Sequence, residues 1–427
     1  MKRLVLAGLA ALTPFGAAAD EFDIDKYEKK AFTFTGSAET KLEHLRFDRS
    51  AALYATSFWN QPRKEDDQRA TETVDLEGKY AFSDLTLAAR TETVLRHDYS
   101  GNSERTVLQE GYASYQAGTG VTLELGKRVL RWGKGYAWNP IGFVERSKDP
   151  SDPELSREGY VMAVADAVKS FDGPVKTVAL TGVVVPEDGD INDDYGRDDT
   201  MNLAAKLYLL AWDTDIDFAI LGRGSRTPRY GIDFSRNLAS NFEIHGEAAY
   251  IRDNSRKFTD STRTVKTATA DSRQYLLGLR YLTESDLTVI AEYFHNGGGI
   301  RDGEMAAFAD LARTGLDAFD STGSSTLMQR AVGLAESGYA KPTPGTDYGY
   351  IKLSQKDAFG WLYVTPAVAA IANLQDRSVQ LIPEVTYTGV QNLDLRLRGT
   401  FLAGGDGDEF GEKANRWKGE LTAKLYF

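Results

Sequence analysis

Three groups of residues have types and spacings that could do chemistry. His245 stands between Glu243 and Glu247 at alternate positions, which in an extended segment puts an imidazole and two carboxylates on one side. Such a trio could act as a base with an acidic orienter; the plainer reading is a hydrogen-bonded cluster. None of the four histidines, His44, His97, His245 and His295, lies in a GxSxG, HExxH or Walker setting. The chain has no cysteine, which removes thiolate catalysis, disulfides and thiolate metal sites, and it has neither a Rossmann glycine pattern nor a CxxCH. No enzyme activity and no cofactor are therefore expected.

The second group, Asp188, Asp190, Asn192 and Asp194, has the every-other-residue rhythm of a calcium loop. Asp193 occupies the place where the sharp turn wants glycine, so a solvated acidic loop is the plainer reading. The third is Arg128 to Glu158, where Arg128, Arg131, Lys134, Arg146 and Lys148 are interleaved with Trp132, Tyr136 and Trp138. Rings and guanidiniums in alternation suit stacking on sugars or pairing with carboxylates. A rigid loop packed across an opening would need the same residues.

The elements that must carry these residues are strands. Alternation of apolar and polar residues recurs in about eighteen segments, with sixteen the alternative count, as in "TVDLEGKYAF", "VTLELGKRV", "NFEIHGEAAYI" and the terminal "KGELTAKLYF". Short connectors such as Ser83-Asp84 and Val390 to Asn392 alternate with longer charged loops. That rhythm is expected of antiparallel strands crossing a bilayer, with both chain ends at the short-turn, periplasmic side. The charge-free stretch Ala358 to Gln375, with Gly360 and Pro366 inside it, reads as a turn followed by a lipid-facing strand rather than a membrane helix.

Several features separate this reading from a soluble sandwich. Residues 1–19 read as a secretory signal peptide, with Lys2 and Arg3, an apolar run from Leu4 to Leu12, and Ala17-Ala18-Ala19 as the expected cleavage site. Phe82, Tyr115, Phe234, Tyr281, Tyr387 and Phe427 fall near the strand ends that lead to short turns, where rings would sit at a lipid–water boundary. The opposite parity carries acids and bases in balance, prohibitive in a dry core but cheap beside water or in paired walls. A net charge of −12 argues against a nucleic-acid surface.

The final strand ending in Phe427 resembles the assembly signal of Gram-negative outer-membrane β-barrels, which implies recognition by the barrel assembly machinery. Among such barrels, the strand estimate and "GKRVLRWGKGYAWNP" resemble porins of the alginate-export type. That resemblance implies a basic ladder for a polyanion, whereas the inward set here is balanced.

The expectation is an all-β, transmembrane, antiparallel up-and-down barrel, residues 20–427 as a single domain in the outer membrane, with lipid and lipopolysaccharide around it. It would pass small hydrophilic solutes by passive or gated diffusion. The alternatives are a non-conducting barrel serving as receptor or as part of an export system, and an outer-membrane hydrolase using His245. Arg90, Arg128, Glu247, Arg280, Glu292, Arg396 and Arg398 are expected to line the passage. The segment Gly297 to Thr346 has helical spacing at Met305, Phe308 and Ala312 and again at Leu327, Ala331 and Leu334, and should act as a plug or lid. Calcium at the Asp188 to Asp194 loop is the one metal candidate.

Overall fold

The computed structural model describes residues 31–155, 157–196 and 199–427. Residues 1–19, read from the sequence as a signal peptide, lie outside the described residues. The chain forms eighteen strands in one closed antiparallel sheet. The first nine are β1 (Phe32–Phe47), β2 (Asp66–Phe82), β3 (Leu85–Asp98), β4 (Gly101–Gly118), β5 (Val121–Arg128), β6 (Tyr160–Ser170), β7 (Val175–Glu187), β8 (Thr200–Ala211) and β9 (Thr214–Leu221). The rest are β10 (Arg229–Ala239), β11 (Phe242–Thr259), β12 (Val265–Leu282), β13 (Leu287–Asn296), β14 (Asp347–Gln355), β15 (Val364–Asn373), β16 (Val379–Val390), β17 (Leu393–Ala403) and β18 (Asn415–Tyr426). Every strand pairs with its sequence neighbour, and β18 returns to β1.

The closing seam runs from Ser37 opposite Tyr426 to Phe47 opposite Asn415. Beyond it the Phe427 N–H donates to the Gly36 carbonyl at 3.0 Å and the Gly36 N–H to the Phe427 carbonyl at 2.9 Å. A Cβ on Gly36 would meet the Phe427 ring at 2.5 Å, so glycine there lets the terminal ring lie against β1. Closure leaves no unpaired edge, which is what hydrocarbon surroundings demand.

Alternation assigns the two faces. Leu87, Leu123, Leu180, Leu203, Leu277, Leu397 and Leu421 are exposed on the outside, while Asp217, His245, Glu247, Glu292 and Arg398 on the opposite parity are buried within. Ala358–Gly360 forms a short 3-10 turn before β15, and no helix among the described residues is long and apolar enough to cross a membrane. The β3–β4 and β11–β12 hairpins extend further than the alternation suggests. Their outer halves carry polar residues on both faces, so periodicity fades while the backbone ladder continues.

Among the described residues three α-helices stand at the long-loop end: α1 (Ala52–Phe58), α2 (Glu304–Thr322) and α3 (Thr326–Leu334). Ala52, Phe308, Leu311, Met328 and Leu334 share one buried cluster, so the apolar stripe of α2 faces α1 and α3. A Cβ on Gly315 would come within 2.8 Å of the Met328 nitrogen, and glycine permits that close helix crossing. Glu412, in the β17–β18 loop, fastens the group: it accepts the Ala52 N–H at 2.7 Å and Arg313 of α2 at 2.7 Å.

Candidate functional site

The connection between β5 and β6, residues 129–159, turns into the barrel instead of outward. Glu247 of β11 accepts the backbone N–H groups of Lys134 at 2.7 Å, Gly135 at 2.6 Å and Ile141 at 3.2 Å. Glu292 of β13 accepts those of Tyr136 at 2.5 Å and Ala137 at 2.9 Å. Five donors thus satisfy two buried carboxylates, the condition under which a charge tolerates removal from water. Gly133 makes the turn with φ of +97°, and a Cβ there would stand 2.7 Å from a Glu247 oxygen. Lys134 reaches Asp217 of β9 at 2.9 Å, and Lys148 donates to the Gly135 carbonyl. Burial, which the charge of Glu145 opposes, holds the Lys148 ammonium below its usual range.

Packing completes the insertion. Trp132 joins Ile141, Phe143, Tyr160, Val183 and Leu221 in one buried cluster. Trp138 stacks on Phe294 with ring centroids 5.0 Å apart and lies 5.9 Å from Tyr348. Of the two readings of this aromatic segment, packing therefore holds for both tryptophans, whose rings are covered. His245 is covered as well, its Nε2 2.9 Å from Glu292 and its Nδ1 3.5 Å from Glu243.

The far tip of the loop meets the opposite side of the barrel. Arg398 of β17 pairs with Asp152 at 3.1 Å and donates to the Ser151 carbonyl, and Gln380 of β16 donates to the Ser151 hydroxyl at 3.0 Å. Lys352 stands 3.6 Å from Glu154, and Arg396 3.9 Å from Glu384. Two cavities flank this contact. One of about 380 Å³ is lined by Lys41, Asp149, Lys413 and Lys418, the other of about 40 Å³ by Tyr350, Lys352, Glu384 and Arg396; Ser151, Asp152 and Arg398 line both.

Along β2 to β5 the wall is different. Arg90 pairs across strands with Asp75 at 2.8 Å, and Arg128 pairs with Glu110 at 2.8 Å and Glu124 at 3.1 Å while lying over the Tyr112 ring. All are partly exposed. Thus of the seven residues expected to line a passage, Arg90, Arg128, Arg280 and Arg396 keep contact with solvent. Arg398 is nearly covered by the loop tip, and Glu247 and Glu292 are buried as anchors of the loop. These two correct the expectation, because parity shows which face a side chain takes but not what lies over it.

At the long-loop mouth a cavity of about 600 Å³ is bordered by Arg146, Arg226, Arg229, Arg256, Lys257 and Lys341 against Glu145 and Asp194. Arg256 is neutralised by Glu304 and Arg146 by Asp194. Among the described residues Arg226 finds neutral acceptors alone, the Tyr195 and Phe143 carbonyls and the Tyr160 hydroxyl. Enclosure, together with the charges of Arg229 and Arg226, holds the Lys341 ammonium below its usual range. Ser337, Gly338, Tyr339, Lys341, Thr343 and Pro344 of the long loop form part of this border.

The calcium candidate does not assemble. Asp188 caps the Asp190 and Ile191 N–H groups, the Asn192 amide donates to the Val161 and Pro186 carbonyls, and Asp194 is held by Arg146. Among the described residues no group of three or more metal-ligating side chains gathers. Sequence reasoning missed Asp152, Arg226, Lys341, Glu409 and Glu412, all outside the alternating segments where position can be read.

No family model matches the chain, and no curated protein matches it. Solved structures do resemble it. Pseudomonas aeruginosa OccK5 (OpdH) superposes with a TM-score of 0.52 at 10% identity, covering 92% of this chain and 98% of its own. P. aeruginosa OprD gives 0.51 at 11% identity over 96% and 99%. Acinetobacter baumannii OccAB1 gives 0.51 at 11% over 92% and 96%. The resemblance to the alginate-export type gains no support from these structures. At such identities the likeness is one of architecture, and the architecture shared is the closed eighteen-stranded barrel.

Proposed function

We propose that this protein is a porin-like channel of a bacterial outer membrane, passing small hydrophilic solutes by diffusion and favouring anions. The carrying observation is the cavity at the long-loop mouth, where Arg226, Arg229, Lys257 and Lys341 face the space without a carboxylate partner among the described residues. Uncompensated cations at the entrance of a low-dielectric tube raise the local concentration of anions. The apolar outer face and the similarity to OprD and OccK5 support a place in the outer membrane, among lipid and lipopolysaccharide. Export by the signal peptide and recognition of the Phe427 terminus by the assembly machinery complete the reading. We assign no catalytic step: the His245 imidazole is enclosed by Glu243, Glu292 and the inserted loop.

Planar-bilayer recording tests this. Stable conductance steps with a reversal potential shifted toward chloride in a KCl gradient are expected, and correctly folded protein without steps would refute the channel. The helical segment around α2 and α3 favours gating as a refinement. Removing residues 301–342 should raise conductance, and an unchanged value would discard a lid role.

A further inference from the structure

The two ends of the inserted loop are held very differently. Its base gives five backbone N–H groups to Glu247 and Glu292, whereas its tip depends on Arg398, Gln380 and a weak contact between Lys352 and the exposed Glu154. The Arg398–Asp152 pair is also the shared boundary of the two cavities on either side of the tip. Arg398 has a side-chain exposure of only 8%, and Asp152 takes its outer edge. Glu384 and Glu420 stand at 3.9 and 4.0 Å from its Nε, beyond hydrogen-bond reach.

We propose that Asp152 is a specificity-determining residue of the passage, a tethered carboxylate occupying the Arg398 edge that an arriving anionic solute takes over. This rests on the channel reading above and adds its selectivity step. Joining the two cavities requires the tip to leave Arg398. A neutral solute that displaces it strips a nearly buried guanidinium of its closest counter-charge, which is costly. A solute carboxylate replaces that charge as it enters, so one ion pair is exchanged for another. The barrier is thus lower for anions, and the tip closes again once the solute has passed. Asp149 keeps the tip a compact turn during this movement, accepting the Ser151 N–H at 2.9 Å on its side chain and the Asp152 N–H at 3.0 Å on its carbonyl.

The test compares entry of succinate and of erythritol, a neutral four-carbon solute, into liposomes carrying the full-length protein, with single-channel conductance recorded in parallel. In Asp152→Asn the Arg398 edge lacks its counter-charge whether the tip is in or out, so displacement carries no added penalty. Erythritol entry should rise roughly three- to tenfold relative to succinate, the range of a partly exposed ion pair, while Asp152→Glu retains the wild-type ratio. A wild-type ratio in Asp152→Asn, or a lost preference in Asp152→Glu, overturns the proposal while leaving a conducting wild type as a channel. A wild type that neither conducts nor admits either solute overturns the channel reading and this proposal together.

Discussion

The wall from β9 to β14 and the wall from β2 to β5 are built on the same alternation, yet their charged residues live in different media. On the first, Asp217, His245, Glu247 and Glu292 are buried beneath the inserted loop. On the second, Asp75, Arg90, Glu110 and Arg128 pair across strands and keep part of their surface in solvent. An identical binary pattern therefore yields a structural clamp on one side and a wet electrostatic lining on the other. What decides is whether a connection of the right composition folds back over it.

The sharpest way to break this comparison is to empty the clamp. Glu247→Ala leaves the N–H groups of Lys134, Gly135 and Ile141 without their acceptor in a covered place, and Glu292→Ala does the same to Tyr136 and Ala137. Each change should cost about 3 kcal/mol, the scale of orphaning partners of a buried charge. Denaturant unfolding in detergent would read the loss. Conductance should become noisy and larger as the loop leaves its seat. A cost below 1 kcal/mol would show that the two walls are energetically alike.

A second, intermediate effect concerns the rim where β14 and β15 meet the β17–β18 loop. Glu409 accepts the Tyr348 hydroxyl and, at 2.9 Å, the Asn373 amide, and its burial pushes its carboxyl up to about 7. A carboxyl raised in the folded state contributes stability below its ordinary range near 4.5 and loses it as pH climbs toward 7. The 404–414 loop should thus be held more firmly at pH 4.5 than at pH 8, with protease cleavage in that loop accelerating on alkalinisation. Glu409→Gln mimics the neutral form and should flatten the dependence; an unflattened profile assigns it to another group. No counterpart is expected along β2 to β5.

The contrast also marks what could be read from residues alone. Strand number, closure on Phe427 and the two faces followed from a period of two, because burial in lipid imposes that period on every crossing. The helices of the long loop followed from Met305, Phe308 and Ala312 in the same way. The clamp did not, since Glu247 accepts donors from residues more than a hundred positions away in sequence. Backbone N–H donors carry no side-chain signature. The glycines at 133 and 135 were the available hint: a chain that must approach a carboxylate closely has room only for residues lacking a Cβ. Asp152 gave no hint at all, being one acid among several in a polar turn.

The smallest effect tests the open wall directly. Arg90 and Asp75 form a cross-strand pair with side-chain exposures of 29% and 15%, and the Arg90 Nε lies 2.9 Å from both carboxylate oxygens. Water and salt reach such a pair, and Arg90 also has Glu77 and Glu110 close by, so a double-mutant cycle with Arg90→Ala and Asp75→Ala should yield a coupling of about 0.5 kcal/mol that shrinks between 0.1 and 1 M salt. The single change Arg90→Ala should barely alter unfolding while moving the reversal potential toward potassium, because a fixed positive charge has left the lining. Stability and selectivity would then separate on this wall, whereas at Glu247 they fall together. A coupling near 3 kcal/mol that ignores salt would mean that Arg90 is shielded from water as thoroughly as Glu247, and that the passage runs elsewhere.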